Sequence, residues 1–137
     1  MIRLPSHVTP LLQELGAWAR GRRTRMRVQG PSMRPTLAHG DHVLVDPDRP
    51  PAVGALVAAR PAPLDGVAVV KRVSSLAEDG SAMLSSDNPD EGTDSRRWGA
   101  VPADRLDGVV TVHLDRWRLL LPADEPPGAG SGRHLLR

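Results

Sequence analysis

Ser32 is the first residue whose surroundings suggest chemistry. It lies in the stretch GPSMRPTL, residues 30–37, between a Gly-Pro pair and a second proline. A serine on a surface loop needs no such rigid frame, because loops accept serine in many backbone conformations. A serine hydroxyl becomes a good nucleophile when a neighbouring base removes its proton. Ser32 is therefore a candidate nucleophile if the chain also supplies a base.

Lys71 is the strongest candidate for that base. Of the 18 Lys and Arg residues in the chain it is the only lysine, and it follows the apolar run VAVV at residues 67–70. Arginine keeps its proton at any working pH, whereas apolar surroundings can lower the pKa of a lysine by several units. A neutral Lys71 could activate Ser32 without a histidine or a third group, as in a Ser-Lys dyad.

Other catalytic or metal-binding arrangements are weaker. The absence of cysteine excludes disulfides, thiolate metal sites and a cysteine nucleophile. His39 and His42 have the spacing of a metal-binding pair, but no third ligand follows at a suitable distance, and none of the five histidines is well placed for a Ser-His-Asp triad. The acidic loop at residues 87–94 has Pro89 where a calcium loop needs an oxygen ligand. We therefore expect no metal and no other cofactor.

The elements that would position Ser32 and Lys71 are mostly strands. Short Val-rich runs separated by Gly, Pro and Asp turns predict an antiparallel, mainly β domain. The aromatic share is only 2%, so the core must consist of Val, Leu, Ala and Met. The predicted strands lie within residues 42–46, 53–60, 66–76, 81–86 and 105–115.

A short amphipathic helix is predicted before the strands, over VTPLLQELGAWA at residues 8–19. Its apolar side chains favour core packing, with contact to a membrane surface as the second use. Gln13 and Glu14 interrupt the run, which is also shorter than the roughly 20 residues of a membrane-spanning helix. The basic run follows the apolar stretch instead of preceding it, unlike a secretory signal. The predicted apolar face comprises Leu11, Leu12, Leu15 and Trp18.

The net charge of +2 is small, but the run RGRRTRMR at residues 20–27 is strongly basic. A solvated face is the favoured interpretation, ahead of contact with phosphates, anionic lipids or an acidic peptide. No second basic stripe is interleaved with aromatic residues, so no nucleic-acid partner is predicted. The chain suits one domain at 25–122, preceded by the helix and a basic linker at 1–24 and followed by a flexible Pro/Gly-rich tail at 123–137.

Four separated segments resemble, in the same order, the motif boxes of type I signal peptidases. These are PSMRPTL at 31–37, GDHVLVD at 40–46, VVKRV at 69–73 and SDNPDEGTDSRRWGAVP at 86–102. The resemblance implies a mainly β, signal-peptidase-like or LexA-like antiparallel fold with a short N-terminal helix. It also implies that Ser32 is the nucleophile, that Lys71 is the general base and that Met33 lies beside them at the substrate cleft. Asp94 and Arg96 would form an internal ion pair that steadies the site.

The sequence departs from the boxes at three positions. Gly30 stands where some relatives carry a serine that completes the oxyanion hole, which leaves backbone donors such as the Ser32 N–H. Gly92 stands where many relatives have a serine that hydrogen-bonds the lysine, so Thr93 or water would have to replace it. Ser86 stands where glycine is usual.

The resemblance is greatest to the small, soluble proteases that mature nickel-type superoxide dismutase. It implies that the partner is a cytoplasmic precursor protein and that the reaction removes its N-terminal leader peptide. One alternative is a signal peptidase that docks at the membrane through residues 20–27 and the apolar helix face. The other is a self-cleaving repressor-type protein, for which the 31 residues before Ser32 are too few to hold a DNA-binding domain and a cleavage loop.

Overall fold

The computed structural model describes residues 8–121 of the 137-residue chain. One helix, α1, spans Val8–Ala19 as the sequence predicts, and a short helix, α2, spans Ser95–Trp98. The predicted tail at 123–137 lies outside the described residues. The strands are β1 Thr24–Arg27, β2 His42–Asp46, β3 Leu56–Ala59, β4 Val69–Leu76, β5 Ala82–Ser85, β6 Leu106–His113 and β7 Arg118–Leu119.

All seven strands belong to one antiparallel sheet, which confirms the predicted mainly β class. The strand order is β1-β2-β6-β3-β4-β5, and β7 pairs with the end of β6. Each predicted Val-rich run contains one of the strands β2 to β6. The second half of the basic run, which was predicted to lie in a linker and the start of the domain, forms the edge strand β1.

The core lies on both faces of this sheet. Side chains alternate along a strand, so Leu56 and Ala58 of β3 enter one apolar cluster while Val57 and Ala59 enter another. The first cluster is built from Val, Leu, Ala and Met and the second from Val, Leu and Ala, as the composition requires, with Trp98 packed against the second. Lys71 pairs with Val57 across β3 and β4 and therefore shares the face of the second cluster.

The predicted apolar face of α1 is wrong in part. Leu12 is 53% exposed and Trp18 is 37% exposed, whereas the buried residues of this helix are Glu14 and Ala17. Glu14 is buried because Arg23 Nε and Nη2 donate to its two carboxylate oxygens at 2.7 and 3.0 Å. Within residues 8–121, no helix combines the length and the apolar character that crossing a membrane requires.

Candidate active site

Ser32 lies in the loop that joins β1 to β2. Gly30 opens the loop with φ +81°, a left-handed conformation that glycine adopts without strain. The next residues turn tightly, since Arg34 N–H donates to Pro31 O at 3.2 Å and Leu37 N–H donates to Met33 O at 2.9 Å. The buried side chains of Met33 and Leu37 anchor the loop in the first apolar cluster. The turn hydrogen bonds and the two buried side chains together fix the position of Ser32.

Lys71 lies inside the sheet, on β4 between β3 and β5. The residue is 3% exposed, and its Nζ donates to Ser32 Oγ at 2.8 Å. The structure thus brings together the two residues that the sequence singled out. When the amine is neutral the same contact can reverse, so that the hydroxyl of Ser32 donates to the nitrogen lone pair.

Burial lowers the pKa of Lys71, because desolvation penalises the ammonium form. The charge of Asp94 acts in the opposite direction but is the weaker influence. Trp98 faces the amine as well, with its ring centroid 6.0 Å from Nζ, and this contact also favours the ammonium form. Burial has the larger effect, so the site favours the neutral amine more than water does, and a neutral amine is the form that can accept a proton.

Ser86 contacts Lys71, a role that the sequence did not predict. Its Oγ accepts a hydrogen bond from Lys71 Nζ at 3.0 Å, and the residue is 6% exposed. Arg72 pairs with Ser85 across β4 and β5, so Ser86 follows opposite Lys71. Thr93, which was predicted to support the lysine, makes no hydrogen bond with it within the described chain. The one signal in the sequence was the serine itself, which replaces the glycine usual in this box.

Gly92 lies close to the side chain of Ser32. A Cβ at this position would lie 3.0 Å from Ser32 Cβ and 4.0 Å from Lys71 Nζ, and its φ is +109°. A side chain here would press on the serine and would also strain the backbone. A serine at position 92 therefore does not fit this site, and the hydroxyl beside Lys71 comes from Ser86.

Asp94 connects Ser86 to the helix that follows. Its Oδ2 accepts the backbone N–H of Ser86 at 2.9 Å, while its Oδ1 accepts the backbone N–H and Nε of Arg96 at 3.0 and 2.8 Å. Burial alone raises the pKa of Asp94, but these hydrogen bonds outweigh it and hold the pKa below its usual value. The predicted ion pair is thus present. It is only half internal, because the Arg96 side chain is 62% exposed.

The loop between Ser86 and Asp94 also forms hydrogen bonds with the loop that carries Ser32. Asn88 N–H donates to Ser32 O at 2.8 Å, and Asn88 Nδ2 donates to Pro31 O at 3.2 Å. Asp87 accepts two hydrogen bonds from Arg72, at 2.8 and 2.7 Å. These contacts tie Ser32 to the same β4–β5 hairpin that carries Lys71 and Ser86. Hydrogen bonds between the Ser32 loop and this hairpin therefore fix the distance between Ser32 Oγ and Lys71 Nζ.

The backbone N–H groups of Gly30 and Ser32 are candidate donors to an oxyanion, but they are not equally available. The Gly30 N–H donates to His39 Nδ1 at 2.8 Å and is therefore engaged. The Ser32 N–H makes no hydrogen bond with any residue of 8–121. A Cβ on Gly30, two residues before Ser32, would meet nothing within 4 Å, so this side of the loop is open. The Ser32 N–H is thus the donor that a substrate carbonyl could reach.

The predicted place of Met33 at the substrate cleft is wrong for its side chain. Met33 is 1% exposed and packs in the first apolar cluster, where its sulfur also lies 3.5 Å from the Asp87 nitrogen. Its side chain packs between the Ser32 loop and the core and is not exposed to a ligand.

The two histidines spaced as a metal pair do not form one. His39 bonds to Gly30, whereas His42 Nδ1 lies 3.3 Å from Asp115 Oδ1. A different group, Asp41, His113 and Asp115, is the only cluster of possible metal ligands found among the described residues.

Comparison with known proteins identifies a family for this chain. The family model described as Peptidase S24-like matches residues 13–96, a segment that includes Ser32, Lys71, Ser86 and Asp94. A search of the curated proteins finds no match. Since the matched segment covers more than half of the chain, the chain belongs to the Peptidase S24-like family.

Proposed function

We propose that this protein is a serine endopeptidase with a Ser-Lys dyad. The observation that carries the proposal is the 2.8 Å contact between Lys71 Nζ and Ser32 Oγ, made by a lysine whose pKa burial lowers. A catalytic pair needs a nucleophile and a base within hydrogen-bond reach, with the base able to lose its proton.

The reaction follows from these positions. Neutral Lys71 accepts the proton of the Ser32 hydroxyl as Oγ attacks the carbonyl carbon of the scissile peptide bond. The carbonyl oxygen becomes an oxyanion, to which the Ser32 N–H donates. The Lys71 ammonium then gives its proton to the leaving amine, and an acyl-enzyme on Ser32 remains. Water then attacks this ester as Lys71 accepts its proton, and the Lys71 ammonium returns that proton to Ser32 Oγ as the acyl group leaves, which restores both residues.

Ser86 and Asp94 act in this scheme as positioning residues. The Ser86 hydroxyl, 3.0 Å from Nζ, fixes the direction of the amine. Asp94 fixes Ser86 by accepting its backbone N–H at 2.9 Å. Because Asp94 also raises the pKa of Lys71, its charge limits how far burial lowers that pKa.

The substrate that we propose is a precursor protein with an N-terminal leader peptide, and specifically the precursor of a nickel-type superoxide dismutase. Support comes from the sequence of the last box, NPDEGTDSR at residues 88–96, which resembles the soluble maturation proteases. The same resemblance supports action in the cytoplasm.

Self-cleavage is the second candidate function, and the match to the Peptidase S24-like family favours it. A self-cleaving protein would cut its own chain when incubated alone. A leader peptidase would leave itself intact and cut the added precursor.

One experiment separates these functions. The purified protein is incubated alone and with a leader-bearing superoxide dismutase precursor, and new N-termini are mapped by mass spectrometry. We expect one new N-terminus, at the end of the leader, that is absent with the Ser32→Ala variant. A new N-terminus within the protease itself would favour self-cleavage, and an uncut precursor would contradict the proposed substrate.

A further inference from the structure

A second group of polar side chains lies where β2 begins and β6 ends. Asp41 immediately precedes β2, His113 is the last residue of β6, and Asp115 lies in the turn that follows. Each offers one ligand atom, and these atoms all lie within 4.8 Å of one another. The peptidase chemistry proposed above uses none of the three, so the cluster needs its own explanation.

His113 is the unusual member of this cluster. Its side chain is 4% exposed, and its Nε2 has no hydrogen-bond partner within residues 8–121. Nε2 lies 3.0 Å from Asp41 Oδ2, but this contact does not have the geometry of a hydrogen bond. A buried nitrogen without a partner destabilises the folded protein, and a bound ligand would supply that partner.

Both carboxylates are held in place by backbone donors. Asp41 Oδ2 accepts the Ala38 N–H at 2.8 Å, and Asp115 Oδ2 accepts the His42 N–H at 2.6 Å. An oriented carboxylate therefore lies on the exposed side of the histidine.

We infer that Asp41, His113 and Asp115 bind a divalent transition-metal ion of the zinc class. Zinc binds imidazole nitrogen and carboxylate oxygen at about 2.0–2.2 Å, which places neighbouring tetrahedral ligand atoms about 3.3 Å apart. The distances from His113 Nε2 to the two carboxylates, 3.0 and 3.9 Å, lie on either side of that separation. The Asp115 side chain is 46% exposed, so its carboxylate can rotate toward His113 while one oxygen keeps the hydrogen bond from the His42 N–H.

The donor set favours this class of metal over calcium or magnesium. The hard cations prefer six or more oxygen ligands, whereas one imidazole with two carboxylates suits zinc and its neighbours. Arg116 and Arg118 line the adjoining cavity. Both are exposed, so salt and water screen their positive charge.

Metal binding would also brace the segment behind the nucleophile. The Ala38 N–H donates to Asp41, and the neighbouring His39 accepts the N–H of Gly30 in the Ser32 loop. An ion fixed to Asp41 and His113 would therefore link the end of this loop to β6. The expected consequence is higher thermal stability, because a ligand that binds only the folded state stabilises it.

Zinc binding tests the inference without any activity assay. The full-length protein is freed of metal with a chelator, dialysed, and titrated with Zn²⁺ in a calorimeter, and thermal unfolding is followed with and without Zn²⁺. We expect saturable binding and a raised Tm. Asp115→Asn and His113→Gln should each weaken the affinity at least about tenfold, since loss even of an outer-shell partner costs that much. Asp104→Asn, an exposed carboxylate outside the cluster, should change neither measurement.

Three results would overturn the site. One is no binding of Zn²⁺ by the wild-type protein, and another is unchanged affinity in the Asp115→Asn variant, which would place the metal on other histidines. The third is tighter binding of Ca²⁺ or Mg²⁺ than of Zn²⁺. Asp115 is exposed and its substitution leaves the buried His113 in place, so the test stands even if His113→Gln does not fold.

Discussion

The hydroxyl of Ser86 lies 3.0 Å from the buried amine of Lys71 and accepts a hydrogen bond from it. This relationship follows from the pairing of β4 with β5, which sets Ser86 across from Lys71 one residue beyond the end of β5. Lys71 thus has two hydroxyl neighbours, Ser32 at 2.8 Å and Ser86 at 3.0 Å. One can serve as nucleophile while the other holds the amine, and the two roles predict different mutant phenotypes.

Ser32→Ala should abolish cleavage and leave the fold intact. The change removes one hydroxyl from a half-buried position and no core volume, so the Tm should stay close to that of the wild type. Loss of a nucleophile costs roughly 10³-fold or more in rate. Cleavage is measured by mass spectrometry, with Ser75→Ala, an exposed serine of β4, as the control. Wild-type activity in Ser32→Ala would end the serine-peptidase proposal.

Lys71→Arg should also be inactive, because guanidinium cannot accept the Ser32 proton at any working pH. General-base catalysis contributes about 10²- to 10⁴-fold, and the loss should reach that range. If Lys71 acted only as a cation, the variant would keep most of its activity, since arginine preserves the charge. Circular dichroism confirms that both proteins are folded before their rates are compared.

The wild-type rate should rise with pH. Lys71 accepts a proton only when neutral, so kcat/KM increases as the pH passes the pKa of the folded enzyme's lysine. Burial lowers this pKa, and the midpoint should fall below 10.5, the ordinary value for lysine. The measurement is a pH-rate profile on a substrate without ionisable groups near the scissile bond. A rate that is flat or falls over the alkaline range would contradict the assignment of Lys71 as the base.

Ser86→Ala should slow cleavage, whereas Thr93→Ala should not. Ser86 orients the amine, and loss of that orientation should reduce kcat by on the order of tenfold to a hundredfold. The midpoint of the pH profile should shift as well, because a hydrogen-bond partner of Lys71 is lost. A purely structural role would lower the Tm and leave that midpoint unchanged. The reverse result, with Thr93→Ala impaired, would restore the partner expected from the sequence.

Gly92→Ala should lose activity beyond its effect on stability. Its Cβ would lie 3.0 Å from Ser32 Cβ, and φ +109° strains a side chain by about 1–3 kcal/mol. Gly99→Ala is the matched control, since φ is +76° there but a Cβ would meet nothing within 4 Å. Both variants should unfold at a lower temperature, and only Gly92→Ala should cleave at least about tenfold more slowly. Equal rates in the two variants would contradict a close contact between position 92 and the nucleophile.

Sequence patterns alone predicted most of the fold and the two central residues of the candidate site. The bounds of α1 and the positions of β2 to β6 follow from local periodicity and turn residues, which act within a few residues of one another. Ser32 and Lys71 could be singled out because each is marked locally, one by its rigid frame and the other as the only lysine in the chain.

The tertiary structure decided which groups surround them. Ser86 takes the place expected of Thr93 because strand register, a relation between distant residues, sets which hydroxyl faces the amine. Glu14 is buried in place of Leu12 because Arg23, nine residues further along, neutralises it. The cluster joins Asp41, just before β2, to His113, at the end of β6, and only the antiparallel pairing of these two strands brings them together. Periodicity records which side of an element is apolar, and it carries no information about the partner that an individual polar group will meet.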